Sequence, residues 1–481
     1  MLVTNHEKLV SHGHRKGRDM ALQILEGGLA AADPYANTRK LIHIEGNRLL
    51  VGGQPDMDVS GYGDEVIDLG EIENIYVIGA GKAVQYQALA LEQILGDRLT
   101  AGAITVKHGE PHLLERIQVT EGAHPVPDEG SVEGTRRLVE IAQRATERDL
   151  VFTLFSDGAS SLSPLPAPGV TLDDLRALYR LAIKYGNQTI IIRPMSYFSQ
   201  VSRGRIMKRI HPARSINLIM QVGLFRRWGR RLPESSTFPP SWPPGTNRMA
   251  DDVPAFRAQP WYDELPPVMR DVFERLDPAY DVPALPEFEE MRMSFWQPID
   301  LYQMVEGARS RAEELGITGA ILSSHLTAIS GEAANVLTQI AYECEVYGRP
   351  FAPPVALITG GHLDVPIGDA TGVGGRNQEF ALTAAALLGQ GRIASKRIIV
   401  AAMDSDGTDG PGTQLVGGEY ICMAGGLVDG YTLEEAAERD IDIDAELANH
   451  NATVPLMQLD SAIHTGNTGT CLGDLRVILV L

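Results

Sequence analysis

Asn74-Ile75-Tyr76-Val77-Ile78-Gly79-Ala80-Gly81-Lys82-Ala83 decides the reading of this chain. Its first seven residues are an apolar run rich in β-branched and aromatic side chains, as in a strand covered on both faces. Gly79-Ala80-Gly81-Lys82 then turns the chain tightly into a helix expected over Lys82 to Leu95. The spacing is not that of a nucleoside-triphosphate loop, because Tyr76 stands where the first glycine belongs and Ala83 replaces Ser or Thr. It also fails the dinucleotide fingerprint, with Val84 at the third glycine position. What remains is a strand-to-helix turn that sets Lys82 at a helix N-terminus. A cation there opposes the helix dipole unless an anion lies nearby. Gly79, Gly81 and Lys82 are therefore candidate anion-binding positions.

The same alternation extends outward. Strands are expected over Ala101 to Lys107, Asp149 to Phe155, Gly319 to Ser324, Pro354 to Thr359, Lys396 to Ala402 and Arg476 to Leu481. Helices are expected over Arg18 to Ala32, Ser131 to Glu147, Leu172 to Tyr185, Asp300 to Leu315, Glu332 to Tyr347 and Gln378 to Leu388. Buried strands separated by amphipathic helices predict an α/β layer with a mainly parallel sheet. From Leu224 to Pro298 the character changes. Arg226, Arg227, Arg230 and Arg231 cluster, prolines recur, and all four tryptophans (Trp228, Trp242, Trp261, Trp296) fall here. Tryptophans want a packing partner, so an ordered excursion is expected, suited to a lid or to a subunit contact such as that of a homodimer.

At 481 residues the chain exceeds one ordinary core, so two domains are expected. The formal charge of −20 argues against nucleic acid and anionic membrane as partners, while leaving room for a small anionic substrate in a local cationic pocket. Three cysteines, Cys344, Cys422 and Cys471, make no disulfide framework or zinc spacing, and a reducing cytoplasm suits them. No run of eighteen apolar residues is present, so no membrane span is expected.

Four further stretches carry candidate chemistry. Ser156-Asp157-Gly158-Ala159-Ser160-Ser161 places hydroxyls and amides at a strand end, where they either cradle a phosphate or cap a turn. His124 sits in the turn Gly122-Ala123-His124-Pro125-Val126-Pro127-Asp128-Glu129, within reach of a substrate. Near the C-terminus, Gly374-Gly375-Arg376-Asn377-Gln378-Glu379 precedes Asp404-Ser405-Asp406-Gly407-Thr408-Asp409-Gly410-Pro411. Arginine beside bare backbone suits phosphate or carboxylate, and the acids suit magnesium or proton transfer. Two turns whose acids cap local amides are the alternative.

In this order the turns resemble the glycerate 2-kinase family, whose C-terminal half is called the MOFRL domain. The matching pieces are Ala21 to Pro34, Gly79 to Ala83, Gly122 to Ser131, Ser156 to Ser161 and most of Glu332 to Leu481. The resemblance implies two α/β domains: an N-terminal Rossmann-like layer over 1–345, with the excursion at 224–298, and a MOFRL-type domain over 346–481. It places the active site in the cleft between them. It implies ATP as co-substrate, a divalent cation such as Mg²⁺, and phosphorylation of the 2-hydroxyl of glycerate or a related small hydroxy acid. Lys82 matches the family's active-site lysine and Arg376 its arginine. On that basis Lys82, Arg376 and Asp409 (as proton acceptor) are expected to be catalytic, and Asp404 and Asp406 to place the metal. Gly79, Gly81, His124, Ser156, Gly158, Ser160, Ser161, Gly375, Asn377 and Thr408 are expected to bind substrate or nucleotide. The chain departs from the family's glycines at Asp157 and Ala159, from its Arg-Lys-His run at Arg193-Pro194-Met195, and from its Gly-Gly-Glu at Gly360-Gly361-His362. Relatives labelled hydroxypyruvate reductase also belong to this group, but the missing dinucleotide fingerprint does not support that activity here.

Overall fold

The computed structural model describes residues 2–59, 61, 63–185, 193–220, 239–389, 393–410 and 423–481. The expected features at Arg226 to Arg231, Trp228, Pro411 and Cys422 lie outside the described residues. The chain divides into two compact units, one of residues 34–299 and one of 1–33 with 300–481.

Among its described residues the 34–299 unit contains nine strands: β1 (Ile42–Glu45), β2 (Arg48–Val51), β3 (Glu65–Asp68), β4 (Ile75–Ala80), β5 (Leu99–Lys107), β6 (Ile117–Gly122), β7 (Leu150–Ser156), β8 (Arg214–Met220) and β9 (Met293–Trp296). The first three form an antiparallel sheet, and the others a six-stranded sheet in the order β6-β5-β4-β7-β8-β9. Every pair in the larger sheet is parallel. All residues of β4 and of β7 are buried, which is why both read as unbroken apolar runs. Their side chains alternate between two cores. Val77, Phe152 and Leu154 pack with Val84, Ala88 and Leu91 of the helix Val84–Leu95. Tyr76, Ile78, Val151 and Phe155 pack on the opposite face with Leu138 and Ile141 of the helix Glu129–Ala142. The strand order reverses between β4 and β7, so the turns leaving their carboxyl ends emerge side by side.

The described part of the excursion is ordered. The helices Met249–Arg257 and Pro267–Arg275 pack on Leu172–Lys184 around Tyr197, Phe198, Phe256, Trp261 and Phe273. Trp296 belongs to the edge strand β9, which the sequence reading did not separate from the excursion. Four residues after a proline-rich stretch show no periodicity to read.

The second unit holds β10 (Thr318–Leu326), β11 (Val355–Gly361), β12 (Ile398–Asp404), β13 (Gly425–Asp429), β14 (Ala462–Ile463) and β15 (Asp474–Val480), in the order β10-β11-β15-β12-β13-β14. Only β10 and β11 pair in parallel; the final strand runs antiparallel between β11 and β12. One face is covered by the helices Ser330–Tyr347 and Arg376–Gly389. The helix Arg15–Ala31 joins this unit through Arg18, whose Nε lies 2.6 Å from Asp429 Oδ2 with both side chains fully buried. The expected division at 345/346 therefore falls inside one compact unit. The reason is pairing across that point, since Thr318 to Leu326 is hydrogen-bonded to Val355 to Gly361.

Candidate active site

In the 34–299 unit the candidate residues gather where β4 and β7 end. Gly81 has φ 141°, and a Cβ there would stand 2.1 Å from Ser156 Oγ, so only glycine fits this approach. The Lys82 amide donates to the Asp157 carbonyl at 3.1 Å, and the Ala83 amide to Ser156 Oγ at 3.0 Å. The helix Val84–Leu95 starts with no side-chain cap. Gly158 has φ 86°, and a Cβ there would lie 3.0 Å from Lys82 Cγ and 3.2 Å from His124 Cδ2. Lys82 and His124 thus both approach Gly158.

The remaining serines stabilise the turn itself. Ser161 Oγ donates to the Gly158 carbonyl at 3.0 Å, and Ser160 is hydrogen-bonded to the buried Tyr179. Ser160, expected to bind ligand, is thus a turn anchor in this structure. Gly79 lies within β4, packed against Leu154. The sequence reading gave no role to Asp128. Its Oδ1 accepts from the amides of Ala123 at 3.1 Å and Ser131 at 2.9 Å, and His108 Nε2 lies 2.7 Å from its Oδ2. Burial opposes its charge, but His108 and those amides outweigh it and hold the carboxyl at about 2. Asp128 thereby fixes the turn that carries His124.

In the other unit, Arg376 opens the helix Arg376–Gly389 between two carboxylates. Its Nε lies 2.8 Å from Asp474 Oδ1 and its Nη2 2.5 Å from Asp404 Oδ2. Burial opposes the charge, yet Asp474, Asp404, Asp409 and Asp406 together raise its affinity for the proton. Nη1 makes no hydrogen bond among the described residues, and the side chain keeps 17% exposure. A guanidinium held at two nitrogens and open at the third can receive an anion in one orientation.

Three expected roles change here. Asp409, 1% exposed, accepts from the amides of Asn377 at 3.0 Å and Gln378 at 2.9 Å and from Asn377 Nδ2 at 3.1 Å. Burial pushes its carboxyl upward while Arg376 pulls it down. It caps the helix that carries Arg376, and a carboxylate so occupied is not placed to accept a substrate proton. Gly375 permits that cap, since a Cβ there would lie 2.3 Å from Asp409 Oδ2. Asn377 is likewise committed, donating through Nδ2 to Asp409 and, at 2.7 Å, to Asp474 Oδ1.

The expected metal pair fares similarly. Asp404 gives one oxygen to Arg376 and the other to the Asp406 amide at 3.0 Å, while Asp406 Oδ1 accepts from the Thr408 amide at 2.7 Å. Among the described residues no three His, Cys, Asp or Glu side chains are grouped to hold a metal ion. Among the described residues Asp404 and Asp406 are therefore not joined by a third such side chain, and Thr408 serves the turn through its amide. Asp474, fully buried, is the residue the sequence reading missed. It also accepts from Arg476 Nη2 and, at 3.1 Å, from the Leu363 amide. Nothing local to the opening of a final strand signals that role.

Comparison with known proteins shows what the chain is similar to. Residues 20–221 match the Domain of unknown function (DUF4147), and residues 355–474 match the MOFRL family. The chain is 29% identical to glycerate 2-kinase of Pyrococcus horikoshii, over 96% of this chain and 97% of that one. It is also 29% identical to D-glycerate 2-kinase of Thermotoga maritima, over 85% and 91% respectively. The chain belongs to the glycerate kinase family. The crystal structure of glycerate kinase from Thermotoga maritima superposes on this family member with a TM-score of 0.72 at 26% identity, covering 96% of this chain and 99% of that one. This glycerate kinase family member is accordingly a phosphotransferase that binds a nucleotide and an acceptor, with ATP as the co-substrate the family implies. No helix among its described residues is long and apolar enough to cross a membrane.

The departures from the family pattern have local explanations in part. Arg193 Nε lies 2.9 Å from Asp252 Oδ2, so it is tied to the ordered excursion. Asp157 contributes its carbonyl to the Lys82 amide, a contact independent of its side chain.

Proposed function

We propose that this chain transfers the γ-phosphoryl group of ATP to the 2-hydroxyl of glycerate or a related small hydroxy acid. The observation that carries the reading is the Arg376 guanidinium fixed by Asp404 and Asp474 with Nη1 left open. Phosphoryl transfer asks little covalent chemistry of a protein; positioning and positive charge supply most of the stabilisation. Arg376 grips the substrate carboxylate or a phosphate oxygen. Lys82 neutralises charge on the transferred group, and bare backbone at Gly158 lets an anion approach it. His124, which like Lys82 approaches Gly158, accepts the hydroxyl proton in place of Asp409. Magnesium arrives with the nucleotide on this reading rather than in a protein cage. The cytoplasm is the proposed compartment.

Coupled assays of ATP consumption over small hydroxy acids, with the ester located by phosphorus NMR, test the proposal. A new phosphate on the 2-hydroxyl of glycerate or a close analogue supports it. ATP left intact with every acid would remove it.

A further inference from the structure

The 34–299 unit contains a second pocket that shares no residue with the Lys82–His124–Gly158 cluster. It is open, holds about 380 Å³, and is lined by Arg205, Lys208 and Arg209 of the helix Arg205–Ile210 together with Ala167, Val282 and Asp281. That volume falls in the range of metabolite sites.

Charge is the informative property. Arg205 spends its donors on backbone carbonyls, those of Ser196 and Ser202 through Nη1 and of Tyr280 and Asp281 through Nη2, at 3.0 to 3.2 Å. No carboxylate neutralises it by a salt bridge among the described residues. Arg209, half-buried, makes a single hydrogen bond among the described residues, to Gln200 Oε1 at 3.3 Å. Lys208 is the exposed third cation and pairs with Glu287. The wall's one acid, Asp281, is already occupied: Oδ2 lies 3.0 Å from Arg248 Nε, and Oδ1 accepts from the amides of Met249 at 3.0 Å and Val282 at 2.8 Å. Burial pushes both arginines down, Arg205 to about 10, as uncompensated charge in a half-dry wall should be. In a chain of net charge −20, two such guanidiniums facing one pocket stand out.

We infer that this pocket is a second ligand site, for a small phosphate monoester. Two uncompensated cations call for a dianion, and a phosphomonoester carries roughly −1.5 to −2 near pH 7. The Arg209 fork can meet its oxygens while Arg205, its Nη donors already engaged, adds charge, and Ala167 and Val282 offer apolar surface to a short carbon skeleton.

The test is calorimetric titration of the full chain with glycerol 3-phosphate and with inorganic phosphate. Glycerol 3-phosphate should bind wild type and Lys82→Ala alike, whereas Arg209→Gln weakens it at least tenfold with unchanged Tm and ATP turnover. Lys208→Gln, at an exposed position, should weaken it several-fold and decides the matter if Arg209→Gln lowers Tm. Weaker binding of inorganic phosphate shows that the carbon skeleton contributes; equal binding overturns the assignment of an ester. No binding to wild type, binding that both cation variants leave intact, or loss in Lys82→Ala alone would overturn the site.

Discussion

Asp474 Oδ1 lies 2.8 Å from Arg376 Nε, and the other oxygen of Asp474 accepts from Arg476, so one fully buried carboxylate is held between two guanidiniums. The two cations overcome the penalty of burial and keep its carboxyl below the usual range. Asp474→Asn keeps the shape and removes the charge, leaving two arginines without their shared counter-ion. Breaking a buried pair of this kind costs about 3–5 kcal/mol. Urea unfolding should show that loss, and residual turnover should fall because Arg376 is no longer aimed.

Lys82→Ala should leave the fold intact, since the Lys82 contact to Asp157 that builds the turn is made by backbone and survives the substitution. Turnover should fall by roughly 10²–10³, the scale of removing one electrostatic donor, about 3–4 kcal/mol. Circular dichroism alongside steady-state kinetics separates the two effects, and undiminished kcat would dismiss Lys82 from the reaction.

Gly81→Ala confronts both a φ of 141° and a Cβ position 2.1 Å from Ser156 Oγ. The backbone must shift, at a cost of about 1–3 kcal/mol for a strained residue. A drop in Tm together with a raised KM for ATP is expected. A melting curve identical to wild type would contradict the close approach.

Asp128 is the group whose titration the fold should report. Its carboxyl is held at about 2 against an ordinary 3.8, so its contribution is present above about pH 4 and disappears as pH falls through 2. Wild-type Tm should therefore fall more steeply between pH 4 and pH 2 than that of Asp128→Asn. Parallel slopes would mean that the turn holding His124 does not depend on this charge.

Arg18 ties the helix Arg15–Ala31 to β13 through Asp429, both side chains fully buried. Arg18→Ala strands that carboxylate and should cost about 3–5 kcal/mol by urea unfolding. Arg18→Ala with Asp429→Ala should cost less than the two single losses added together.

Most strands that could be read in advance share one property. β4, β7, β11, β12 and β15 are buried along their whole length, and mainly apolar runs record that burial locally. The strands β1, β2, β3 and β9 carry no such record, because four residues each are too few for a periodicity to show. Site residues divide in the same way. Lys82, His124 and Gly158 announced themselves through turn chemistry, and the structure brings them together. Asp409 had the right residue type and neighbourhood for catalysis, yet its oxygens are taken by the amides that begin a helix.

By itself the sequence determined the α/β layering, the turns at the carboxyl ends of the strands and the two cations, because each is written in a few consecutive residues. Which acid does what was decided only by tertiary structure. The roles of Asp474, Asp404 and Asp409 depend on whose N–H reaches their oxygens across 28 to 98 residues of chain. Hydrogen-bond allegiance over such separations is set by sheet order and helix placement, which no local stretch encodes.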